Sequence, residues 1–341
     1  MKKIKIIQVG IGHDHSIPTY SCLVKQSDVF DVLGLVICDG ESEKYAKHLK
    51  SFEGAKILTL DEALKIKDLD AVAIECEDCD LTRYSMLFAE RGVHIHMDKP
   101  GGVSQDEYER MLSLMKEKGL VFQTGYMYRY NPVIAEKLAA ARRGDFGEIY
   151  SVEAHMDCIH PKEKRAWLGD YPGGMMYYLG CHLIDLIVLF QGLPEEIIPL
   201  NMPTGFDGVT ASDYGMAVLK YENGISFAKT CAAEPGGFMR RQIVVCGRDA
   251  TVEMKPTEEY IDGANITTPT VIRKSEGGWH AVYSEERAQP FDRYDTMMRH
   301  FAEYIRGERE NPYTYEYEAQ IHKVVLAACG VSIDYKARIK L

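Results

Sequence analysis

Several residues whose side chains move protons or stabilise charge follow a predicted strand or share a predicted helix. Lys99 follows a short apolar strand and precedes Pro100, and His182 lies in an apolar helix with Asp185 three residues later. An ammonium group stabilises developing negative charge on an oxygen, and an imidazole exchanges protons near neutral pH. Side chains of these two kinds are typical of sites that transfer a proton and stabilise a developing charge.

The N-terminus has the pattern of a dinucleotide-binding turn. A predicted strand over residues 3–9 ends at Gly10-Ile11-Gly12, and a predicted helix follows from about Asp14. The first glycine permits the tight turn, and the second lets the backbone approach a pyrophosphate. The third position of this fingerprint is His15 instead of a small residue, so we expect the helix to be crowded against the sheet or the pyrophosphate.

An acidic residue at the end of the second predicted strand favours one form of the cofactor. Asp39 stands 27 residues after Gly12, where a carboxylate can accept hydrogen bonds from both adenosine ribose hydroxyls. A carboxylate in that place repels a 2′-phosphate, so Asp39 favours NAD over NADP. The alternative is an ordinary surface aspartate at a strand end.

The elements that must position these residues alternate between strand and helix through the first half of the chain. Strands are predicted over 3–9, 30–38, 56–58, 70–74, 94–97 and 120–123, with helices between them. This alternation predicts a Rossmann doubly wound parallel sheet in an α/β domain over 1–124. Runs of strands with flanking helices follow, ending in helices over 292–306 and 316–337. They predict an α+β domain over 125–341 with a large open, mostly antiparallel sheet.

Composition and charge argue against several classes of protein. The 341 residues include 40 basic and 51 acidic side chains, giving a formal net charge of −11. A general nucleic-acid binder would instead present a basic surface. No apolar run reaches the ~20 residues that a membrane helix needs, and the N-terminus lacks a signal-peptide pattern. Nine scattered cysteines are typical of reduced thiols, so we expect a cytoplasmic protein with neither nucleic-acid nor membrane partners.

Four stretches of the first half resemble the Gfo/Idh/MocA oxidoreductases, a family named from glucose–fructose oxidoreductase and inositol dehydrogenase. In family order they are Val9–Gly12, Gly92–Pro100, Arg129–Pro132 and Gly173–Asp185. The second is similar to the family's Glu-Lys-Pro signature with Asp in place of Glu. The last is similar to its Gly-Gly … Gly-x-His-x-x-Asp helix. The combination is specific, although each stretch alone would not be.

The resemblance implies roles for individual residues. For catalysis it implies Lys99 to polarise the substrate oxygen and His182 to transfer the proton. Asp185 would orient His182 or complete a polar pocket, and we expect Tyr178, on the same helical face, to position the substrate. The residues expected at the cofactor are Gly10, Ile11, Gly12, His13, His15, Asp39, Cys76 and Lys99, and those expected at the substrate are Arg129, Arg165 and Trp167. The implied function is NAD-dependent oxidation of a hydroxyl on a polyol, sugar or sugar acid by a homodimer or homotetramer.

Departures from the family pattern leave alternatives open. Many relatives have Asp where this chain has Tyr178, and their Thr-Pro-Asn segment is Cys76-Glu77-Asp78 here. The acidic run over residues 75–80 would repel cofactor phosphates if it faced them. Two rivals therefore remain: an enzyme of the same fold that uses NAD transiently without net redox, and a non-catalytic ligand sensor.

Two further groups of residues suggest no additional chemistry. His13, His15, His160 and Glu75 match no metal-ligand spacing, so the sequence leads us to expect no metal. Cys76 and Cys79 form a C-x-x-C pair with acidic neighbours, which raise thiol pKa values and favour two ordinary thiols.

Overall fold

The computed structural model describes residues 2–263, 265–277, 280–339 and 341, which form two compact units. The first unit comprises the chain through Met127 together with Tyr294–His322 and Arg338–Leu341. The second comprises Tyr128–Arg293 and Lys323–Ala337. The predicted domains, 1–124 and 125–341, assign these C-terminal segments of the first unit to the second domain instead.

Six parallel strands form the sheet of the first unit, in the order β3-β2-β1-β4-β5-β6. The strands are β1 (Ile4–Val9), β2 (Phe30–Val36), β3 (Ile57–Leu58), β4 (Ala71–Ile74), β5 (His94–Met97) and β6 (Phe122–Thr124). The helices between them are α1 (Ser16–Lys25), α2 (Glu41–Lys44), α3 (Leu60–Leu64), α4 (Leu81–Glu90) and α5 (Gln105–Glu117). This strand order confirms the predicted doubly wound Rossmann sheet.

The second unit is built on an eight-stranded sheet with the order β16-β15-β12-β11-β7-β10-β9-β8. Its strands are β7 (Ile149–Asp157), β8 (Glu196–Pro199), β9 (Tyr214–Tyr221), β10 (Gly224–Cys231), β11 (Gln242–Gly247), β12 (Ala250–Met254), β15 (Pro269–Gly277) and β16 (His280–Arg287), while β13 (Glu259–Tyr260) and β14 (Ile266–Thr267) form a separate pair. Its helices are α6 (Pro132–Arg143), α7 (Lys162–Trp167) and α8 (Cys181–Gln191). Neighbours in the large sheet are antiparallel except β7 and β10, which confirms the predicted mostly antiparallel sheet.

Helix α9 (Asp295–Arg306) belongs to the first unit. Its buried face includes Met297 and Phe301, and the Gln123 side-chain amide donates a hydrogen bond to the Met297 carbonyl oxygen at 3.2 Å. The ring of Phe301 lies 5.9 Å from that of His96 on β5. An amphipathic helix buries its apolar face against the nearest apolar surface, which here is the parallel sheet.

The last helix, α10 (Tyr315–Ala328), is shorter than expected. The prediction that it continues to about Ala337 is wrong, because Gly330 adopts a φ of +88° soon after its end. A glycine in the left-handed region is a common helix terminator. Among the described residues, no helix has both the length and the apolar character to span a membrane.

Polar residues gather where β1, β4 and β5 end. These strands lead into Gly10, Glu75 and Asp98-Lys99, respectively. The strand order reverses between β1 and β4, and ligands of open α/β sheets bind outside the carboxyl ends of strands at such a switch point. Gly10 has a φ of +97°, and a Cβ there would lie 2.3 Å from the backbone nitrogen of Cys76, so the turn requires glycine.

Candidate active site

The turn after β1 holds an anion supplied by the chain itself. The backbone N–H groups of Ile11 and Gly12 each donate to a carboxylate oxygen of Glu41 at 2.9 Å. The N–H of Cys38 donates to the same carboxylate, also at 2.9 Å. Glu41 is only 2% exposed, and burial raises its pKa in spite of these three donors. The first residue of α2 thus occupies the position at which the sequence predicts a pyrophosphate.

The N–H donors of this turn can be compared with what the phosphates of a dinucleotide require. The donors after β1 converge on two oxygens of one anion, which is what a phosphate requires of a Rossmann turn. Gly12 also lacks the Cβ that would lie 2.6 Å from the Glu41 carboxylate, so the backbone approaches the anion closely. The donor set therefore fits a phosphate, and the Glu41 carboxylate has to leave these donors before a phosphate can bind them.

Asp39 lies at the surface beyond β2. Its side chain is 93% exposed, and Arg83 on α4 approaches it with 3.6 Å between Nη2 and Oδ2. That this exposed carboxylate accepts hydrogen bonds from ribose hydroxyls stays a prediction. The guanidinium beside it is a feature that the sequence analysis did not consider, and arginine is the side chain that accommodates a 2′-phosphate in such folds.

Two of the four carboxylates in the acidic run over residues 75–80 pair with basic side chains. Glu77 pairs with Lys44 at 2.6 Å and accepts a hydrogen bond from the Tyr45 hydroxyl. Asp80 pairs with Arg83 at 3.3 Å. The thiol of Cys76, a predicted cofactor contact, is buried in the core of the first unit, and burial raises its pKa.

A histidine–carboxylate cluster lies at the carboxyl edge of the parallel sheet. It consists of His13, His15, Glu75, Asp78, His96 and Asp98. The Nδ1 atoms of His13 and His15 both lie 3.0 Å from Oδ2 of Asp98. His13 Nε2 lies 3.6 Å from Asp78 Oδ1, and His96 Nε2 lies 3.7 Å from Glu75 Oε1. His13 and His15 were predicted cofactor contacts, whereas the partnership with Asp98 was not foreseen.

The charges of this cluster are strongly coupled. Burial lowers the pKa of His13, but the attraction of Asp98 and Asp78 outweighs it and raises that pKa to about 10. Burial lowers the pKa of His15, in spite of the same aspartate. Although burial opposes it, the two imidazoles hold the pKa of Asp98 well below its usual range. Asp98 is therefore an anion that is neutralised by histidine within the first unit.

Lys99 occupies the next position after this aspartate. Its side chain is 1% exposed, and its backbone N–H donates to Asp98 Oδ1 at 2.6 Å. Its positive charge is one of the influences that lower the pKa of His15. A lysine that is this deeply buried at a sheet edge is unusual for a purely structural residue.

In the second unit, His182 lies on α8 within a buried aromatic and ionic setting. Its ring, 1% exposed, meets the ring of Tyr128 edge-on at 5.1 Å. Asp185, one turn further along, accepts hydrogen bonds from Nε and Nη2 of Arg129 at 2.9 and 2.8 Å. The predicted substrate contact Arg129 is thus engaged by the predicted partner of His182.

The buried Arg129–Asp185 pair gives a prediction about stability. Both side chains are at most 1% exposed, so removing the cation leaves an uncompensated carboxylate in the interior. Arg129→Met should lower the free energy of unfolding by about 3–5 kcal/mol, measured by chemical denaturation. Arg143→Met, which removes an exposed pair with Asp145, is the control and should cost less than about 1 kcal/mol. Equal losses in the two variants would contradict the role given to Arg129.

The other residues of the second unit that were predicted to contact the substrate lie among aromatic rings and ion pairs. Tyr178 belongs to a π-helical segment, Met176–Gly180, and its ring meets that of Trp167 edge-on at 5.6 Å. The ammonium of Lys164 lies 3.6 Å from the Trp167 ring and 4.6 Å from the Tyr178 ring. Arg165 pairs with Asp213 at 3.1 Å. Single π-helical turns inside helices occur frequently at functional sites.

A cavity of about 400 Å³ adjoins this part of the second unit. It lies beside the residues that connect α7 to the π-helical segment, and the loop before β9 forms its opposite wall. The lining includes Ala166, Leu168, Tyr171, Gly174 and Ser212. Tyr171 also packs edge-on against Trp167, with 4.7 Å between ring centroids, so the cavity and the aromatic cluster share a wall.

Comparison with known proteins identifies the family. A model described as "oxidoreductase family, NAD-binding Rossmann fold" matches residues 9–126, and one described as "oxidoreductase family, C-terminal alpha/beta domain" matches residues 140–341. The chain belongs to the Gfo/Idh/MocA oxidoreductase family. Its first unit is accordingly the family's NAD(P)-binding Rossmann domain.

Individual Gfo/Idh/MocA relatives are distant. A D-xylose 1-dehydrogenase (NADP⁺) from Haloferax volcanii is 28% identical over 166 residues, which cover 48% of this chain and only 50% of that protein. The scyllo-inositol 2-dehydrogenase (NAD⁺) of Bacillus subtilis is 23% identical over 252 residues, covering 72% and 70% of the two chains. A solved protein described as an NADPH-dependent oxidoreductase from Desulfitobacterium hafniense has a TM-score of 0.80 at 20% identity, covering 97% and 95%. The structural likeness supports the fold.

Proposed function

We propose that this member of the family is an NAD-dependent oxidoreductase that transfers hydride between the nicotinamide and a hydroxyl or carbonyl group of a polyol, sugar or sugar acid. The observation that carries the proposal is the pair of N–H donors at Ile11 and Gly12, which hold an anion at the switch point of the parallel sheet. Lys99 follows β5 at the same edge of this sheet. Relatives named for xylose and scyllo-inositol support the substrate class.

The proposed chemistry divides the reaction between the cofactor and the chain's own side chains. When bound, the nicotinamide supplies the hydride acceptor at its C4 position. Lys99 hydrogen-bonds the substrate oxygen and stabilises the alkoxide that develops there. His182 takes the hydroxyl proton as hydride leaves the carbon, so an alcohol becomes a carbonyl. Tyr178 positions the substrate and carries no proton, because a phenol is a poor base near neutral pH.

The ionic contacts of the second unit refine the other assignments. We assign Asp185 to holding the Arg129 side chain in place. The two side chains then form a fixed polar surface next to His182, which lies on the same helix as Asp185. Arg165 forms an ion pair with Asp213, and we assign it to fixing the position of α7, the helix that carries it. Trp167 offers an aromatic face of the kind that packs on the apolar face of a sugar ring.

Cofactor preference follows from Asp39. We expect the wild type to bind NAD more tightly than NADP, because the exposed carboxylate repels a 2′-phosphate. Asp39→Ser should reduce this preference by on the order of 10-fold, since Arg83 remains at hand for the 2′-phosphate. Calorimetric titration with both cofactors measures the ratio, and exposed Asp61→Ser is the matched control. Tighter binding of NADP by the wild type would contradict this assignment.

A turnover screen tests the proposed function. The protein is incubated with NAD or NADP and a panel of polyols, sugars and sugar acids, and formation of reduced cofactor is followed by absorbance. The proposal expects reduced cofactor with at least one compound. Product formation without net reduction would favour transient use of NAD, and dinucleotide binding with no turnover on the panel would favour a sensor.

Assembly and location complete the proposal. We propose a homodimer or homotetramer, by analogy with relatives that pair through their large sheets, and sedimentation velocity measures the mass. We also propose a cytoplasmic location, on the odd number and scattered placement of the nine cysteines in the sequence.

A further inference from the structure

The histidine–carboxylate cluster of the first unit has a geometry that the hydride-transfer proposal does not use. His13 and His15 come from the turn after β1, and Asp98 comes from the end of β5, so three ligand-type side chains meet at the switch point. One candidate ligand atom from each of the three lies within 4.8 Å of the other two. Ligands of a tetrahedral zinc ion, bound at about 2.0–2.1 Å, lie on the order of 3.3 Å apart, so only small movements would be needed.

The atom Nδ1 of His13 faces contradictory neighbours. It accepts a hydrogen bond from the backbone N–H of His15 at 3.2 Å, which requires a lone pair on the nitrogen. The same atom lies 3.0 Å from Asp98 Oδ2, which is itself an acceptor. A proton or a metal ion between these two atoms removes their repulsion. A metal ion can take this place only with the nitrogen unprotonated, and its bond to Nδ1 then replaces the hydrogen bond from His15.

Glu75 supplies an independent observation that points to a cation. Its side chain is fully buried, and among the described residues neither carboxylate oxygen has a partner in hydrogen-bond geometry. Oε2 is directed at His13 Nδ1 from 3.9 Å, and Oε1 at His96 Nε2 from 3.7 Å. A buried carboxylate is costly unless it is protonated, hydrogen-bonded, paired or bound to a metal, so this side chain holds either a proton or a nearby cation.

We propose that His13, His15 and Asp98 bind one divalent transition-metal ion of the zinc class, with Glu75 beside them as a further carboxylate. Two imidazole nitrogens and a carboxylate form the mixed donor set that suits zinc and its neighbours, whereas Mg²⁺ and Ca²⁺ prefer oxygen ligands alone. The ion offsets the negative charge buried around His13. This site departs from the sequence-based expectation of no metal, and it does not rest on the proposed hydride transfer.

The test measures metal binding directly, with no dinucleotide present. The full chain is stripped with a chelator, its fold is checked by circular dichroism, and Zn²⁺ is titrated by calorimetry, with bound metal counted by elemental mass spectrometry. We expect about one Zn²⁺ per chain, and Co²⁺ in its place should give the visible absorption of nitrogen and oxygen ligation. Failure of NAD binding in a separate titration would bear on the proposed function alone.

Two ligand variants and two controls locate the ion. His15→Gln and Asp98→Asn should each weaken Zn²⁺ binding by on the order of 100-fold or more. His300→Gln and Asp106→Asn replace the same residue types on α9 and α5, at positions that are not members of the cluster, and should bind as the wild type does. A wild type that keeps less than about 0.1 Zn²⁺ per chain after desalting from excess metal overturns the proposal, and a proton on His13 then neutralises Asp98. Unchanged affinity in His15→Gln, the more exposed ligand, overturns it as well.

Discussion

Replacing Lys99 with methionine should lower turnover by on the order of 100-fold or more while leaving the affinity for the dinucleotide nearly unchanged. Methionine is close to the lysine stem in length and apolar character, so it can fill the buried space that this 1% exposed side chain occupies. What it lacks is the ammonium that stabilises the developing alkoxide. Steady-state kinetics on the substrate found by screening, together with calorimetry of cofactor binding, measure the two quantities.

Controls separate this chemical role from a structural one. Lys67→Met alters an exposed lysine of the first unit and should keep full activity. His182→Ala should lose turnover to a similar extent as Lys99→Met, and Tyr178→Phe should lose less, because the phenol carries no proton. Full turnover by a folded Lys99→Met protein would contradict the proposed mechanism, even with NAD bound.

Removing the Glu41 carboxylate should tighten dinucleotide binding by on the order of 10-fold. The wild-type carboxylate occupies the N–H groups of Ile11 and Gly12, so the cofactor binds only the fraction of molecules in which Glu41 has moved away. Glu41→Ala makes those donors available in every molecule. Without ligand, the same variant should lose about 1–3 kcal/mol of unfolding free energy, because buried donors lose their acceptor.

The opposite signs of these two effects make the prediction specific. Calorimetry with NAD gives the first effect, and thermal unfolding with and without NAD gives the second, so the stabilisation by NAD should be larger in Glu41→Ala. Glu43→Ala, which alters an exposed glutamate of the same helix, should change neither. Weaker NAD binding by Glu41→Ala would show that this carboxylate is a permanent support of the turn.

Local patterns in the sequence were sufficient to predict the architecture. The alternation of apolar strands and helices predicted the Rossmann sheet. This signal is local because the period of apolar residues within one segment distinguishes a strand from a helix. The edge strand β16 and its neighbour β15 were not predicted, since their exposed charged residues hide the alternation.

The polar partnerships of the site could not be predicted in the same way. Glu41 reaches Gly12 across 29 positions of sequence, and Asp98 reaches His15 across 83. Such contacts depend on the register of neighbouring parallel strands, which the periodicity of one strand does not specify. A partial signal was present, since His15 takes the third glycine position of the fingerprint and Asp98 replaces the family's glutamate. These departures indicate that the residues at the switch point of the sheet differ from those of most family members.

The most direct test of the central claim follows the hydrogen atom itself. A substrate identified by the screen is labelled with deuterium at the carbon that bears the reacting hydroxyl, and the reduced cofactor is isolated and examined by NMR. The account predicts deuterium at C4 of the nicotinamide ring, in an amount equal to the carbonyl product. Deuterium returned to the product or lost to solvent, with no label accumulating in the cofactor, would contradict net hydride transfer by this protein.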